Sequence, residues 1–212
     1  MKIENFIKKE QARAELYNLL SALFAQPEDA FLHKPELVKS LHHWLDKLNL
    51  DGEGFAKKME QSLNDYTEEQ LLIEYAHLFV GPFKIQAPPY SSVYLGDGTV
   101  MNKHSVWVLQ QYREAGIDFN FEVHDLPDHI AVENSFLYYL TYNEIKALQN
   151  GDVTQAKLFF NTHHQFLKKH YRNWVPQFCL KGKNNTQNKF YQIVFAMQEE
   201  VARLNHSLNF PG

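Results

Sequence analysis

Apolar residues recur along this chain at intervals of three and four. Ile3, Phe6, Ile7, Ala14, Tyr17, Leu20, Leu23 and Phe24 form one such stripe, the spacing that gives a helix one buried face. Gln26-Pro27-Glu28-Asp29 ends it. Pro35 suits a first helical turn, where its missing N–H costs nothing, and Leu37, Val38, Leu41, Trp44, Leu45 and Leu48 carry a second stripe. Asp51-Gly52-Glu53-Gly54 is a turn, and Phe55, Met59 and Leu63 mark a shorter third helix. Thr67-Glu68-Glu69-Gln70 reads as a capping box, in which the Thr hydroxyl and the Gln side chain each satisfy a free backbone N–H. The helix it opens carries Leu71, Leu72, Tyr75, Leu78 and Phe79 and stops at Gly81-Pro82.

The pattern then changes. Residues 81–98 hold Pro82, Pro88 and Pro89, and each proline fixes its own φ and biases the residue before it away from helix. Helical spacing resumes from about 102 to Gly116, a glycine placed to take a left-handed C′ position. Residues 117–126 form a second irregular stretch, acidic and aromatic. A further helix is expected to start at Pro127 and run through Ile130, Glu133, Phe136, Leu137, Leu140 and Ile145 to Asn150-Gly151. Asp152 should cap the next, which carries Ala156, Phe159, Phe160, Phe166 and Leu167 up to an interruption at Trp174-Val175-Pro176. Phe190, Tyr191, Val194, Phe195, Met197, Val201 and Leu204 make the last. No strand-like alternation persists. The expectation is an all-α fold: one globular domain over 1–212 with about eight helices, and a candidate hinge between two lobes at 118–127.

Composition narrows the function. The formal net charge is −4, which disfavours nucleic acid as a partner and suits a cationic peptide. Aromatics are 14%, with 16 Phe and 11 Tyr, enough to line an apolar groove as well as a core. Cys179 is the single cysteine, so no internal disulfide is possible, and beside Trp174 and Phe178 it reads as a small buried hydrophobe. The first ten residues interleave charges with apolar side chains, unlike an export signal, and no segment reaches the length of a membrane span. The protein is therefore expected to be cytoplasmic, with no stable membrane insertion.

Catalytic patterns are missing. There is no phosphate-cradling glycine loop, nucleophile elbow or CxxC pair, so neither catalysis nor a cofactor is expected. Three segments stand out instead. The first runs from Glu74 to Phe83 and on through Pro88-Pro89-Tyr90-Ser91-Ser92-Val93-Tyr94. It puts Tyr75, Leu78 and Phe79 on one helix face and presents Tyr90 and Tyr94 beside them on a stiff segment. The second is His124-Asp125-Leu126-Pro127-Asp128-His129-Ile130. A metal-dependent hydrolase using His124, Asp125, Asp128 and His129 is the alternative from another class, but Asp128 and His129 are adjacent and point apart on a helix. On chemistry alone Asp128 reads as a carboxylate stabilising a helix N-terminus. The third, His170 to Phe178, reads as a kinked helix junction anchored by an indole. His163 and His170 share a face, with no carboxylate evident beside them.

Taken in order, Glu74-Tyr75-x-x-Leu78-Phe79-x-Gly81-Pro82, Pro88-Pro89-Tyr90-x-Ser92-Val93-Tyr94, Pro127-Asp128-His129-Ile130 and His170-x-x-x-Trp174-x-Pro176-x-Phe178 resemble the TorD/DmsD family, and the second motif resembles the DmsD branch more closely. The likeness spans roughly 71–195. It implies an all-α chaperone for a molybdopterin-dependent reductase, of the dimethyl sulfoxide reductase type. Such a chaperone binds the twin-arginine leader and the apoenzyme and delays export until the cofactor is inserted. It implies a monomer or a homodimer. The peptide-binding positions it implies are Tyr75, Leu78, Phe79, Phe83, Asp128 and His129, to which the aromatic segment adds Tyr90 and Tyr94. Relatives of the DmsD branch often carry Trp where this chain has Tyr75 and Phe83, which would reshape the groove. Asp128 beside an aromatic groove would then pair with leader arginines, and the leader's apolar stretch would lie in the groove as a helix.

Overall fold

The computed structural model describes residues 3–27, 35–50, 54–82, 84–121, 125–204 and 210. Among them the chain forms helices and no strand; one isolated bridge joins Tyr90 to His129. The helices are α1 (Ile3–Leu23), α2 (Pro35–Lys47), α3 (Phe55–Asp65), α4 (Glu68–Tyr75, continuing as a π turn at Ala76–Val80) and α5 (Ser91–Leu95). There follow α6 (Lys103–Glu114), α7 (Ile130–Gln149), α8 and α9 (Lys189–Arg203). Helix α8 joins Val153–Phe166, a π turn at Leu167–Tyr171 and Arg172–Asn184 without a break. The one element the periodicity misses is α5, too short to show a period. Glu28 and Asp29, expected to help end α1, and the Asp51-Gly52-Glu53 turn lie outside the described residues.

Local signals set many boundaries. The capping box forms at α4: Gln70 N–H donates to Thr67 Oγ1 at 3.3 Å and Thr67 N–H to Gln70 Oε1 at 2.9 Å. Asp152 caps α8 by accepting from Gln155 N–H at 2.9 Å. Gly116, at φ 82°, closes α6: its N–H bonds to the Arg113 carbonyl and that of Ile117 to the Tyr112 carbonyl, the paired bonds of a Schellman end. That ending fixes where Ile117 and Asp118 emerge.

Two boundaries differ from the sequence reading. Helix α7 begins at Ile130, not Pro127; His129 is its extended N-cap, tied there by the bridge to Tyr90 and by Ile130 N–H donating to the Pro89 carbonyl at 2.8 Å. Asp128 is therefore not in the first turn. Pro176 does not interrupt α8. Trp174, Val175, Phe178 and Cys179 around it are all fully buried, and such packing outweighs one missing backbone bond.

The main core cluster takes residues from Leu16 to Ala202, and a smaller one joins Phe6 to Ala147, Leu148, Ala156 and Phe160; both draw on either side of 118–127, so among the described residues the segment read as a hinge divides neither core. Helix α7 threads the centre, with α1 along one side and α8 along the other. Its buried stripe, Ile130, Glu133, Leu137, Leu140 and Glu144, contains two carboxylates. Glu133 accepts from Trp174 Nε1 at 3.0 Å and lies 2.7 Å from His170 Nε2. The carboxylate partner that His170 lacked in the sequence reading thus comes from another helix. His163, also fully buried, sits ring-to-edge with Tyr17 of α1. Cys179 is buried as expected, and burial raises its thiol pKa.

Candidate functional site

A cleft of about 560 Å³ opens between α1, α7 and the irregular segment that follows α6. Its α1 side is small and polar: Asn18, Ser21, Ala22, Ala25 and Gln26. Ser21 Oγ donates to the Ala131 carbonyl at 2.8 Å, which sets the approach of α1 to the start of α7. Ala131, Val132, Ser135 and Phe136 supply the α7 side, and Tyr75, Tyr112, Ile117 and Phe119 add aromatic and aliphatic walls. Tyr112, fully buried, anchors the 117–129 segment by donating from its hydroxyl to the Pro127 carbonyl at 2.6 Å. Asp118, Asp125 and His129 complete the lining, which among the described residues contains no Lys or Arg.

Of the eight positions expected to meet peptide, two line this cleft: Tyr75 and His129. Tyr75 is partly buried; burial first, then the Asp125 charge, raises its hydroxyl pKa. The His129 ring is enclosed, its Nδ1 accepts from Ala131 N–H at 3.1 Å, and its Nε2 lies 4.0 Å from Asp125 Oδ2. Burial pushes this imidazole down to about 4, so it is neutral at pH 7. Tyr90 stands beside it, ring centroids 5.3 Å apart, with its hydroxyl donating to Asp125 Oδ1 at 3.1 Å.

Leu78, Phe79 and Asp128 lie behind the surface. Leu78 is 0% and Phe79 5% exposed, the latter ringed by Phe24, Phe178, Tyr191 and Phe195. Asp128 is 0% exposed. Its Oδ2 accepts from Ser92 N–H at 2.9 Å, and its own carbonyl accepts from Ser91 N–H at 3.0 Å. The carboxylate thus serves the N-terminus of α5, across space, rather than the helix that follows it in sequence. Tyr94 packs on Trp174 and Phe178 on the inner side of α5, with Lys181 over its ring. Phe83 lies outside the described residues, as does His124. Asp118 was not singled out in the sequence, and Asp125 only as part of the hydrolase alternative; their signal as cleft residues was two acids within the aromatic 117–126 stretch, with an N-cap closing it.

The hydrolase alternative is not supported. Asp128 is committed to α5, His129 Nδ1 to the α7 cap, and among the described residues no group of three His, Cys, Asp or Glu side chains converges as a metal site requires. No described helix is long and apolar enough to cross a membrane.

The chain belongs to the nitrate reductase delta subunit family, whose model it matches over residues 42–180, and within it to the TorD/DmsD group of molybdoenzyme-maturation chaperones. The chaperone protein TorD of Vibrio cholerae serotype O1 (strain M66-2) is 27% identical over 178 residues, covering 80% of this chain and 79% of its own. The Tat proofreading chaperone DmsD of Salmonella typhi is also 27% identical, over 179 residues, 83% of this chain and 80% of its own. In fold the chain is similar to a redox enzyme maturation protein from Archaeoglobus fulgidus, with a TM-score of 0.61 at 21% identity, over 90% of this chain and 94% of that one.

Proposed function

We propose that this protein is a cytoplasmic chaperone that holds the twin-arginine leader and the apo form of a molybdopterin-dependent reductase until its cofactor is inserted, and that it catalyses no reaction. The observation that carries this reading is the cleft: an open, aromatic-walled channel on a helical body, with two carboxylates and, among the described residues, no cation in its lining. A leader that joins positive charge to an apolar stretch complements it on both counts, and an amphipathic helix laid into a groove is an established mode of capture. Tyr75 and His129 contact the peptide directly. Leu78, Phe79 and Asp128 hold the walls from behind. Tyr90 is tethered through Asp125, and Tyr94 through α5.

The client is proposed to be a dimethyl sulfoxide type reductase, on the strength of the Pro88-Pro89-Tyr90-x-Ser92-Val93-Tyr94 segment. The chaperone works as a monomer or homodimer. The test is co-expression with reductase catalytic subunits, with and without their leaders. Recovery of a complex that depends on the leader, with higher cofactor content in the released enzyme, is expected. Equal capture of leaderless and leader-bearing subunits would refute the leader reading.

A further inference from the structure

The proposed function leaves open which side chains read the positive charge of the occupant. Asp128 is the acid beside the aromatic motif in sequence, but its carboxylate is sealed at 0% exposure and bonded to Ser92 N–H. A guanidinium could reach it only by dismantling α5.

Two other carboxylates face the cleft. Asp118 emerges just past the Schellman end of α6, is exposed, and makes no ion pair among the described residues. Asp125 spends Oδ1 on Tyr90 and on Leu126 N–H, at 3.1 and 2.6 Å, and among the described residues leaves Oδ2 with only His129 at 4.0 Å. Like charges on one wall without a cation attract positive charge into the space between them. A separate observation also points to a ligand. The His129 residue is 4% exposed and lines the cleft. Because Nδ1 accepts from Ala131 N–H, the ring proton sits on Nε2. Among the described residues that donor has no acceptor within hydrogen-bond distance, Asp125 Oδ2 at 4.0 Å being too far. The side chain is only 5% exposed yet lines the cleft, so an acceptor carried by an occupant of the cleft can meet this nitrogen.

We propose that Asp118 and Asp125 are the residues that read paired arginines, that His129 Nε2 donates to a main-chain carbonyl of the peptide beside them, and that Asp128 is a positioning residue acting through α5. The proposal rests on the reading of the cleft as a peptide site. It sets the direction of the peptide: the cationic end lies at the 117–129 segment and the apolar stretch runs along α1 and α7. A guanidinium suits the place because its fork donates to a carboxylate through two parallel bonds.

Calorimetric titration of the full chain tests this. The probes are a synthetic peptide with two adjacent arginines followed by an apolar stretch, and the same peptide with both arginines replaced by glutamine. Asp118→Asn and Asp125→Asn keep size and accepting oxygens while removing charge. The double variant should bind the arginine peptide about tenfold or more weakly than wild type and the glutamine peptide with unchanged affinity. His129→Phe should weaken both peptides alike. Asp128→Asn should also affect both alike, and in step with any loss in thermal stability. A double variant that binds the arginine peptide as wild type does, or that loses equally on both peptides, overturns the assignment while leaving the cleft as a peptide site. Failure of wild type to bind either peptide overturns the peptide reading itself. Thermal melts accompany each variant; should Asp125→Asn melt early through its bonds to Tyr90 and Leu126, Asp118→Asn alone carries the comparison.

Discussion

Glu144 offers the sharpest check on how α1 is held against α7, the pairing that shapes the cleft. The residue is 0% exposed, and among the described residues neither carboxylate oxygen has a hydrogen-bond partner. Across from it on α1, Glu10 is held by Arg13 Nη1 at 2.7 Å, and Tyr17 completes that face; His163 of α8 packs ring-to-edge on Tyr17, and Arg172 of the same helix acts electrostatically on both. Burial first, then the Glu10 charge, raises the Glu144 carboxyl to about 9, against the pull of Arg13. The folded protein thus keeps this group protonated at neutral pH, whereas the unfolded chain ionises it near 4.5. A carboxyl raised on folding costs nothing below its unfolded pKa and costs progressively more as pH rises towards its folded one. Glu144→Gln is neutral in both states and escapes that cost. At pH 7 the gain is about 3 kcal/mol, from roughly 2.5 pH units at about 1.36 kcal/mol each. It should vanish near pH 4 and level off above pH 9. His163, whose pKa burial depresses, titrates in the opposite sense, but it is common to both proteins and drops out of the difference. Urea melts of wild type and Glu144→Gln at several pH values between 4.5 and 8.5 measure the gain. Parallel stability profiles, or a less stable variant at pH 7, would refute the reasoning.

Other perturbations follow from single contacts. A Cβ on Gly182 would lie 2.1 Å from the Phe195 ring, which is itself wedged among Phe24, Phe79 and Phe178. Gly182→Ala should therefore cost about 1–3 kcal/mol and lower the melting temperature by about 2–12 °C; an unchanged calorimetric melt would contradict the packing. Asp128→Ala strips Ser92 N–H of its acceptor and should cost about 1–3 kcal/mol, with Asp128→Asn closer to wild type; equal melts for all three would place the carboxylate elsewhere. Excess zinc or manganese should leave the melting temperature unchanged, because among the described residues no three His, Cys, Asp or Glu side chains converge as a metal site requires. Stoichiometric metal in purified protein would revive the hydrolase alternative.

Most of the fold is legible in the chain because helices announce themselves locally. The capping box at Thr67, the Asp152 cap and the Gly116 ending each lie within four residues of the boundary they set. What local reading misplaces is governed by contacts far along the chain. Asp128 looks like a helix N-terminus from its neighbours, and it is one, but for α5, some 36 residues back. Pro176 looks like a break because the burial that carries α8 through it comes from other helices. Glu133 and Glu144 are visible as acids in an apolar stripe, yet their opposite fates, one bonded to His170 and Trp174 and the other unpaired, depend on which helix faces each. The site follows the same division. Sequence order marks the two irregular segments as important, and Tyr75 and His129 do line the cleft. The floor on α1 and the exposed acids appear only once α1 is laid against α7.

The central claim is that a leader peptide lies in the cleft between α1 and α7. Photo-crosslinking tests it most directly. A twin-arginine leader peptide carrying a photoreactive leucine in its apolar stretch would be irradiated with the protein and the adducts mapped by mass spectrometry. Adducts should fall on Ala22, Ala25, Val132 and Phe136 in the cleft. A second groove of about 730 Å³, between α3 and α9 and lined by Phe55 and Ile193, serves as the internal control. Adducts concentrated there, with the α1–α7 cleft unlabelled, would contradict the account.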